Sequence, residues 1–263
     1  MAVRSAKLGK NKPVRRNGNM ANFVILGAYG GIGSALARQL LAAGHRVLLA
    51  GRDAARLQSL AEELQMPYQQ ADATESATVE AAIAAGAEQL DGLHGVANCF
   101  GSLLLKPAHV TTDAEFEQVL AVNLKSALAT VRGAVRAMPQ GGSVVLVSSA
   151  AARIGLVNHE AIAAAKAGVQ GLALSAAATY ANKGLRFNCV SPGLTETPLT
   201  ARITGSEAAA KASLKMHALG RFGKPEEIAR AIAFLLDPAQ SWITGQVLGV
   251  DGGLGSLWSR GNG

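Results

Sequence analysis

From Asn22 onward, short β-branched runs alternate with longer alanine-rich stretches of helical period. The runs FVILG (23–27), RVLLA (46–50), GVANC (95–99), SVVLVSS (143–149), RFNCV (186–190) and QVLGV (246–250) predict strands, with a weaker one near 67–70. Within each run apolar residues follow one another rather than alternate with polar ones. That is the pattern of a parallel strand covered on both faces. The stretches between them, about 31–43, 53–64, 75–88, 113–137, 158–182 and 225–236, predict crossover helices. Repeated strand–helix–strand units predict one α/β domain over 21–263, a doubly wound parallel sheet of about seven strands. Helix 158–182 is small or apolar on several faces, more than one sheet contact requires. It predicts a second buried face between subunits, and so a homodimer or homotetramer.

Composition changes this picture little, and charge changes it only at one end. The net charge is +7, yet residues 1–20 hold Arg4, Lys7, Lys10, Lys12, Arg15 and Arg16 and no acid. Removing those six from 25 basic residues leaves 19 against 18 acidic ones, so the body is near neutral. Residues 1–20 are expected to be a basic, disordered extension, and no nucleic-acid partner is expected. No apolar run reaches the ~20 residues of a membrane helix. The first residues lack the apolar stretch of a secretory signal. A cytoplasmic protein without a membrane partner is therefore expected. Cys99 and Cys189, each at the end of a predicted strand, suit buried free thiols in a reducing compartment. His45, His94, His109, His159 and His217 are scattered without ligand spacing, so no metal is expected.

The chemistry begins at the first strand, which runs into Gly27-Ala28-Tyr29-Gly30-Gly31-Ile32-Gly33-Ser34. Gly27 permits a tight turn, Gly31 lets backbone approach a pyrophosphate, and Gly33 lets the next helix pack closely on the strand. The helix N-terminus then faces the phosphate charge. A strand before and a helix after are the context that gives such a loop meaning. The second strand ends at Ala50-Gly51-Arg52-Asp53. A carboxylate there would accept from the ribose 2′-OH of NAD. Gly51 offers none, and Arg52 could clamp a 2′-phosphate. NADP is therefore favoured, with NAD retained because a small register shift brings Asp53 into play.

Together these residues resemble the short-chain dehydrogenase/reductase family over about 22–255. The glycine loop, including Tyr29, Gly30 and Ile32, matches its phosphate-binding pattern, with Leu26 in place of a threonine. Asp72, followed by Ala73, matches the acidic position that holds the adenine. Asn98-Cys99-Phe100-Gly101 is similar to its Asn-Asn-Ala-Gly element, and Asn123 matches its helix asparagine. Ser149 and Lys166 match its serine and lysine. Pro192, Gly193, Leu194 and Thr197 match the loop that covers the nicotinamide. Gly220–Glu227 and Thr244–Gly253 match its C-terminal signatures. The resemblance implies a single Rossmann-type domain. It implies that Lys166 binds the nicotinamide ribose, Ser149 holds the substrate oxygen, and Asn123 supports a water near Lys166. From the residues alone, the alternatives are that Ser149 simply ends a strand and that Asn123 is an ordinary buried amide.

One position departs from the family. Four residues before Lys166, where its proton-donating tyrosine stands, this chain has Ile162. His159, seven residues before Lys166, is the candidate replacement, since two helical turns share a face and imidazole can donate near neutral pH. The alternative is a helix-start histidine with no such part. The loops 102–109, 150–158 and 195–220 would form the pocket. They carry Leu103, Leu104, Leu105, Ile154, Leu156, Val157, Leu199, Ile203 and Met216, which predicts an apolar small-molecule substrate. Lys211 and Lys215 could meet an anionic carrier group or be solvated. Two functions stay open: an NAD(P)-dependent oxidoreductase passing hydride to a ketone or conjugated enone by an atypical proton route, or a catalytically inactive dinucleotide-binding regulatory protein.

Overall fold

Each apolar run becomes a strand because its alternate residues enter two different cores. In β1 (Asn22–Leu26), Val24 and Leu26 face one core while Phe23 and Ile25 face the other, and all four are essentially inaccessible. The computed structural model describes residues 20–257. The extension expected over 1–20 lies outside them except for the exposed Met20.

The other strands are β2 (Arg46–Gly51), β3 (Tyr68–Gln70), β4 (Gly95–Asn98), β5 (Gly142–Val147), β6 (Leu185–Pro192) and β7 (Val247–Val250). All pair in parallel in one seven-stranded sheet of order β3-β2-β1-β4-β5-β6-β7. The order reverses between β1 and β4, which opens a crevice at the carboxyl ends of those strands. On one face lie α3 (Ser76–Gln89), α5 (Ser126–Ala137) and α6 (Glu160–Tyr180), whose Val79, Ile83, Ala134, Val169 and Ala173 fill the first core. On the other lie α1 (Gly31–Ala42), α2 (Ala54–Leu64) and α9 (Pro225–Leu236), with Leu36, Leu40, Leu57, Ile228 and Ile232 in the second.

Four local features differ from the expected pattern. The helix expected over 113–137 divides into α4 (Asp113–Leu120) and α5 across a π-helical turn at Ala121–Lys125. The run SVVLVSS leaves the sheet after Val147, and Ser149 instead opens a 3₁₀ turn at Ala150–Ala152. The segment expected as a loop over 195–220 carries α7 (Ala201–Thr204) and α8 (Glu207–Met216). Finally, the stretch Glu160–Lys183 is long and apolar enough to cross a membrane, contrary to expectation. It instead covers β5 and β6 as a helix of the sheet's outer layer. Both cysteines are free, but only Cys189 is buried; Cys99, just beyond β4, is partly exposed.

Candidate active site

The turn after β1 is built by the absence of side chains. Gly27 sits at φ +77°, and a Cβ there would lie 2.8 Å from the backbone of Cys99 beyond β4. A Cβ on Gly33 would lie 2.3 Å from the Gly27 carbonyl oxygen. On the open side, a Cβ on Gly31 would meet the Thr197 methyl at 2.8 Å. Gly30 caps α1 without a side chain, and its amide closes the turn onto the Gly27 carbonyl at 3.1 Å. The first-turn amides of α1 thus have no side-chain partner and no acidic neighbour, the condition for holding an anion. Ile32 and Tyr29 pack against the second core.

At the end of β2, Tyr29 uses the room that Gly51 leaves. A Cβ on Gly51 would be 2.4 Å from the Tyr29 ring. The Tyr29 hydroxyl accepts from the Asp53 amide at 3.2 Å, and the Arg56 guanidinium lies over the ring at 4.6 Å. The Asp53 carboxylate is occupied as the cap of α2, accepting from the Arg56 amide at 3.1 Å. Arg52 is exposed, its Nε 4.0 Å from Asp72. Asp72 in turn accepts from the Thr74 amide and hydroxyl, both at 2.8 Å. Partial burial works to raise the Asp72 carboxyl, but those two hydrogen bonds and the Arg52 charge outweigh it and hold it below its ordinary value. Ala73 is buried beside it.

The opposite end of the crevice gathers around Lys166. This side chain is 6% exposed, and among the described residues its ammonium has a single hydrogen-bond partner, the Val147 carbonyl at 2.8 Å. An ammonium carries three donors. Burial lowers its pKa to about 8, only partly offset by the nearby Cys189 and Cys99. Burial also pushes both thiols up to about 12, so they stay neutral. A Cβ on Gly101 would lie 3.9 Å from Lys166 Nζ and 3.7 Å from Asn123 Oδ1, which brings these three residues to one place. Asn123 sits in the π turn, 2% exposed, and donates to the Val119 carbonyl and to Ser102 Oγ, both at 2.9 Å. Asn98 Oδ1 accepts from the Phe100 amide at 3.0 Å, while its Nδ2 donates to Ser126 and Thr130. It shapes the loop from behind.

Ser149 follows Ser148, whose hydroxyl donates to the Lys166 carbonyl at 2.9 Å. Its own Oγ accepts from the Ala151 amide at 3.2 Å, the strand-ending role, and among the described residues no acceptor takes its hydroxyl hydrogen. Ile162 is 3% exposed in a small apolar cluster with Val119, Ala161 and Ala165, against which Leu103 and Leu104 pack. His159 stands apart. It precedes α6 as its N-cap in a non-helical conformation, with Nδ1 2.7 Å from the Val157 carbonyl oxygen. Its carbonyl takes the first helical bond, from the Ala163 amide at 2.7 Å, but its ring is turned back toward the preceding loop. Among the described residues no hydrogen bond joins His159 to Lys166, Ser149 or Asn123.

Pro192 ends β6, and the chain turns back over the glycine loop through Gly193, Leu194 and Thr197. The buried His217, at the end of α8, holds that turn. Its Nε2 accepts from the Leu194 amide at 3.1 Å and its Nδ1 faces the Ser213 carbonyl at 2.8 Å. Gly193 permits this, since a Cβ would lie 2.8 Å from His217 Nε2.

Sequence reasoning did not single out Arg56, His217 or Ser102. Arg56 had a signal, being three residues after a cap aspartate at the strand end. His217 had none beyond its place before Gly220-Arg221, because the Leu194 amide that it holds lies 23 residues away in sequence. Ser102 was visible only as the residue following Gly101.

The chain is similar to known proteins over most of its length. A family model described as enoyl-(acyl carrier protein) reductase matches residues 27–255. Galactitol 2-dehydrogenase (L-tagatose-forming) of Cereibacter sphaeroides is 35% identical over 241 residues, covering 89% of this chain and 94% of that relative. The inactive 2-(S)-hydroxypropyl-CoM dehydrogenase 2 of Xanthobacter autotrophicus is 32% identical over 230 residues, 84% of this chain and all of the relative. Among solved structures, a single-site variant of actinorhodin polyketide ketoreductase with NADPH superposes with a TM-score of 0.84 at 26% identity, covering 90% of this chain and 98% of the other. With the sheet order, the glycine turn and the buried lysine already in place, these matches show that the chain belongs to the short-chain dehydrogenase/reductase family.

Proposed function

We propose that this chain is an NADP-preferring reductase of ketones or conjugated enones in which Ile162 stands where the family has its tyrosine. The observation that carries the reading is Lys166, a buried ammonium with one carbonyl partner and donors to spare at the mouth of a glycine-built crevice. A buried cation without a companion is costly, and the hydroxyls of a nicotinamide ribose would supply what it lacks. The glycine turn fits a pyrophosphate, because Cβ atoms at Gly31 or Gly33 would fill the cradle. Asp72 and Ala73 lie at the adenine end, and Pro192 to Thr197 overlie the nicotinamide end.

The preference for NADP rests on three features of the β2 end. Gly51 presents no carboxylate, Asp53 is engaged as a helix cap, and Arg52 and Arg56 stand there as cations. When bound, the dinucleotide supplies a hydride. The chain's own part is to hold the substrate oxygen at Ser149 and to keep positive charge beside it at Lys166, which lowers the energy of a developing oxyanion or enolate. Asn123 braces the loop that carries Gly101. We place the proton route at Lys166 and water rather than at His159, which is turned toward Val157. Leu103, Leu104 and Leu199 border the opening and suit an apolar substrate.

The chain also presents an apolar strip, Ala164, Ala167, Gly171, Leu174 and Ala178, on the exposed side of α6. We read it as the contact of a homodimer or homotetramer.

The second reading, a dinucleotide binder without turnover, is favoured by one observation: a relative named as inactive is similar over its whole length. Titration with NADPH and NADH, followed by turnover on cyclohexanone and 2-cyclohexen-1-one, separates the two. Tight NADPH binding with reduction of either probe is expected. Binding without any reduction selects the second reading, and failure to bind either nucleotide rejects both.

A further inference from the structure

The loop after β4 carries a hydroxyl that none of the roles above uses. Ser102 follows Gly101 and is partly buried. Its amide donates to Asn123 Oδ1 at 3.3 Å, and its Oγ accepts from Asn123 Nδ2 at 2.9 Å. This reciprocal clamp engages both ends of the asparagine amide. Asn123 is itself immobilised, since its Nδ2 also donates to the Val119 carbonyl at 2.9 Å within the π turn. Single π turns inside helices are frequent at functional sites. Here the turn places one amide where it can fix one serine.

A serine hydroxyl has one hydrogen to give and two lone pairs to accept with. One lone pair of Ser102 is filled by Asn123. Among the described residues no acceptor takes its hydrogen. The neighbouring Gly101 shows where that hydrogen can be used. A Cβ there would lie 3.9 Å from Lys166 Nζ and 3.7 Å from Asn123 Oδ1, so the space in front of the loop is bounded by the ammonium and by the clamp. One helical turn before Lys166, Ile162 contributes only carbon, and Leu103 and Leu104 pack on its cluster. An oxygen held at this place by Ser149 alone would have one neutral donor, whereas a developing negative charge is best met by two or more.

We propose that Ser102 is the second neutral donor to the substrate oxygen, hydrogen-bonding a ketone or enolate oxygen alongside Ser149. The inference rests on the reductase reading for turnover but not for binding. Asn123 then acts as the positioning residue for Ser102, and no proton leaves the serine.

The test uses the full chain with Ser102→Ala and Ser102→Thr, and cyclohexanone and 2-cyclohexen-1-one as probes. Ser102→Ala is expected to lower kcat and kcat/KM together by about 100-fold. NADPH affinity should stay at its wild-type value, melting temperature should fall by only a few degrees for the lost Asn123 hydrogen bond, far less than the rate loss implies, and Ser102→Thr should restore most of the rate. A second readout needs no turnover: the carbonyl stretch of ¹³C-labelled cyclohexanone bound to the protein with NADP⁺. It should move to lower frequency in the wild type and return toward the free value in Ser102→Ala. An alanine variant within about threefold of wild type in kcat, with an unchanged stretch, overturns the proposal. So does one that loses NADPH affinity or melting temperature in step with its rate. A wild type that reduces neither probe, yet shows a shift that Ser102→Ala abolishes, sinks the reductase reading while sustaining the serine contact. A wild type with neither turnover nor shift overturns both.

Discussion

At the scale of single residues, Lys166 carries the clearest physical consequence. Its ordinary pKa of 10.5 falls to about 8 because burial disfavours the ammonium. Between those two pH values the unfolded chain holds a proton that the folded chain has lost. Stability from this group therefore rises with pH from about 8 to about 10.5, and below about 8 the charged form costs the fold about 3 kcal/mol. Lys166→Met removes that cost. The variant is expected to melt higher than the wild type at pH 7, with the difference shrinking toward pH 10.5, as differential scanning calorimetry across that range would show. NADPH affinity should behave oppositely. It should fall in the wild type above about pH 8 and be weak at every pH in the variant. The glycine turn was legible in the sequence because each glycine has a steric reason that spacing alone conveys. Arg56 was not, because its stacking on Tyr29 depends on how β2 and the turn meet in space. On our reading Ile162 is the one residue whose absence of chemistry the sequence made visible.

At the scale of elements, buried strands were easy to read and lid helices were not. A strand apolar on both faces has no other stable environment, so the core strands lie within a residue or two of the runs that predict them. The stretch EAAAKASLK in α8 is half alanine and half polar. Its helical state depends on what it docks against rather than on a strong stripe of its own. That dock is His217. Because Nε2 accepts from the Leu194 amide, the ring hydrogen must sit on Nδ1 and donate to the Ser213 carbonyl. His217→Ala leaves both backbone groups without their partner, at a cost of about 1–3 kcal/mol for the buried amide alone. Hydrogen exchange should quicken in the Leu194 turn and across α8, while β1, β4 and β5 keep wild-type protection. The π turn at Ala121–Lys125 was invisible in the sequence because one extra residue in a helical run scarcely changes its period.

At the scale of the whole molecule, the fold follows from alternation of elements, whereas assembly depends on surfaces that alternation does not describe. The expected second face of the long helix has its counterpart in the exposed small residues of α6, with Leu174 62% exposed among them. If that strip is the subunit contact we propose, Leu174→Glu places a charge in it and should convert the oligomer to a monomer, measured by light scattering. NADPH affinity should persist, because the crevice lies at the strand ends and not on that helix face.

The small cluster around Ile162 has one more implication. It contains Val119, Ala161 and Ala165 and belongs to neither of the two large cores. The glycine turn, by contrast, packs on the second of those cores through Ala28, Tyr29 and Ile32, with Gly27 lying against the backbone of Cys99. On our reading, then, the grip on a dinucleotide's pyrophosphate and the side chain at position 162 rest on separate packing. A change at that position can gain or shed a reaction while leaving the phosphate end of the crevice as it is.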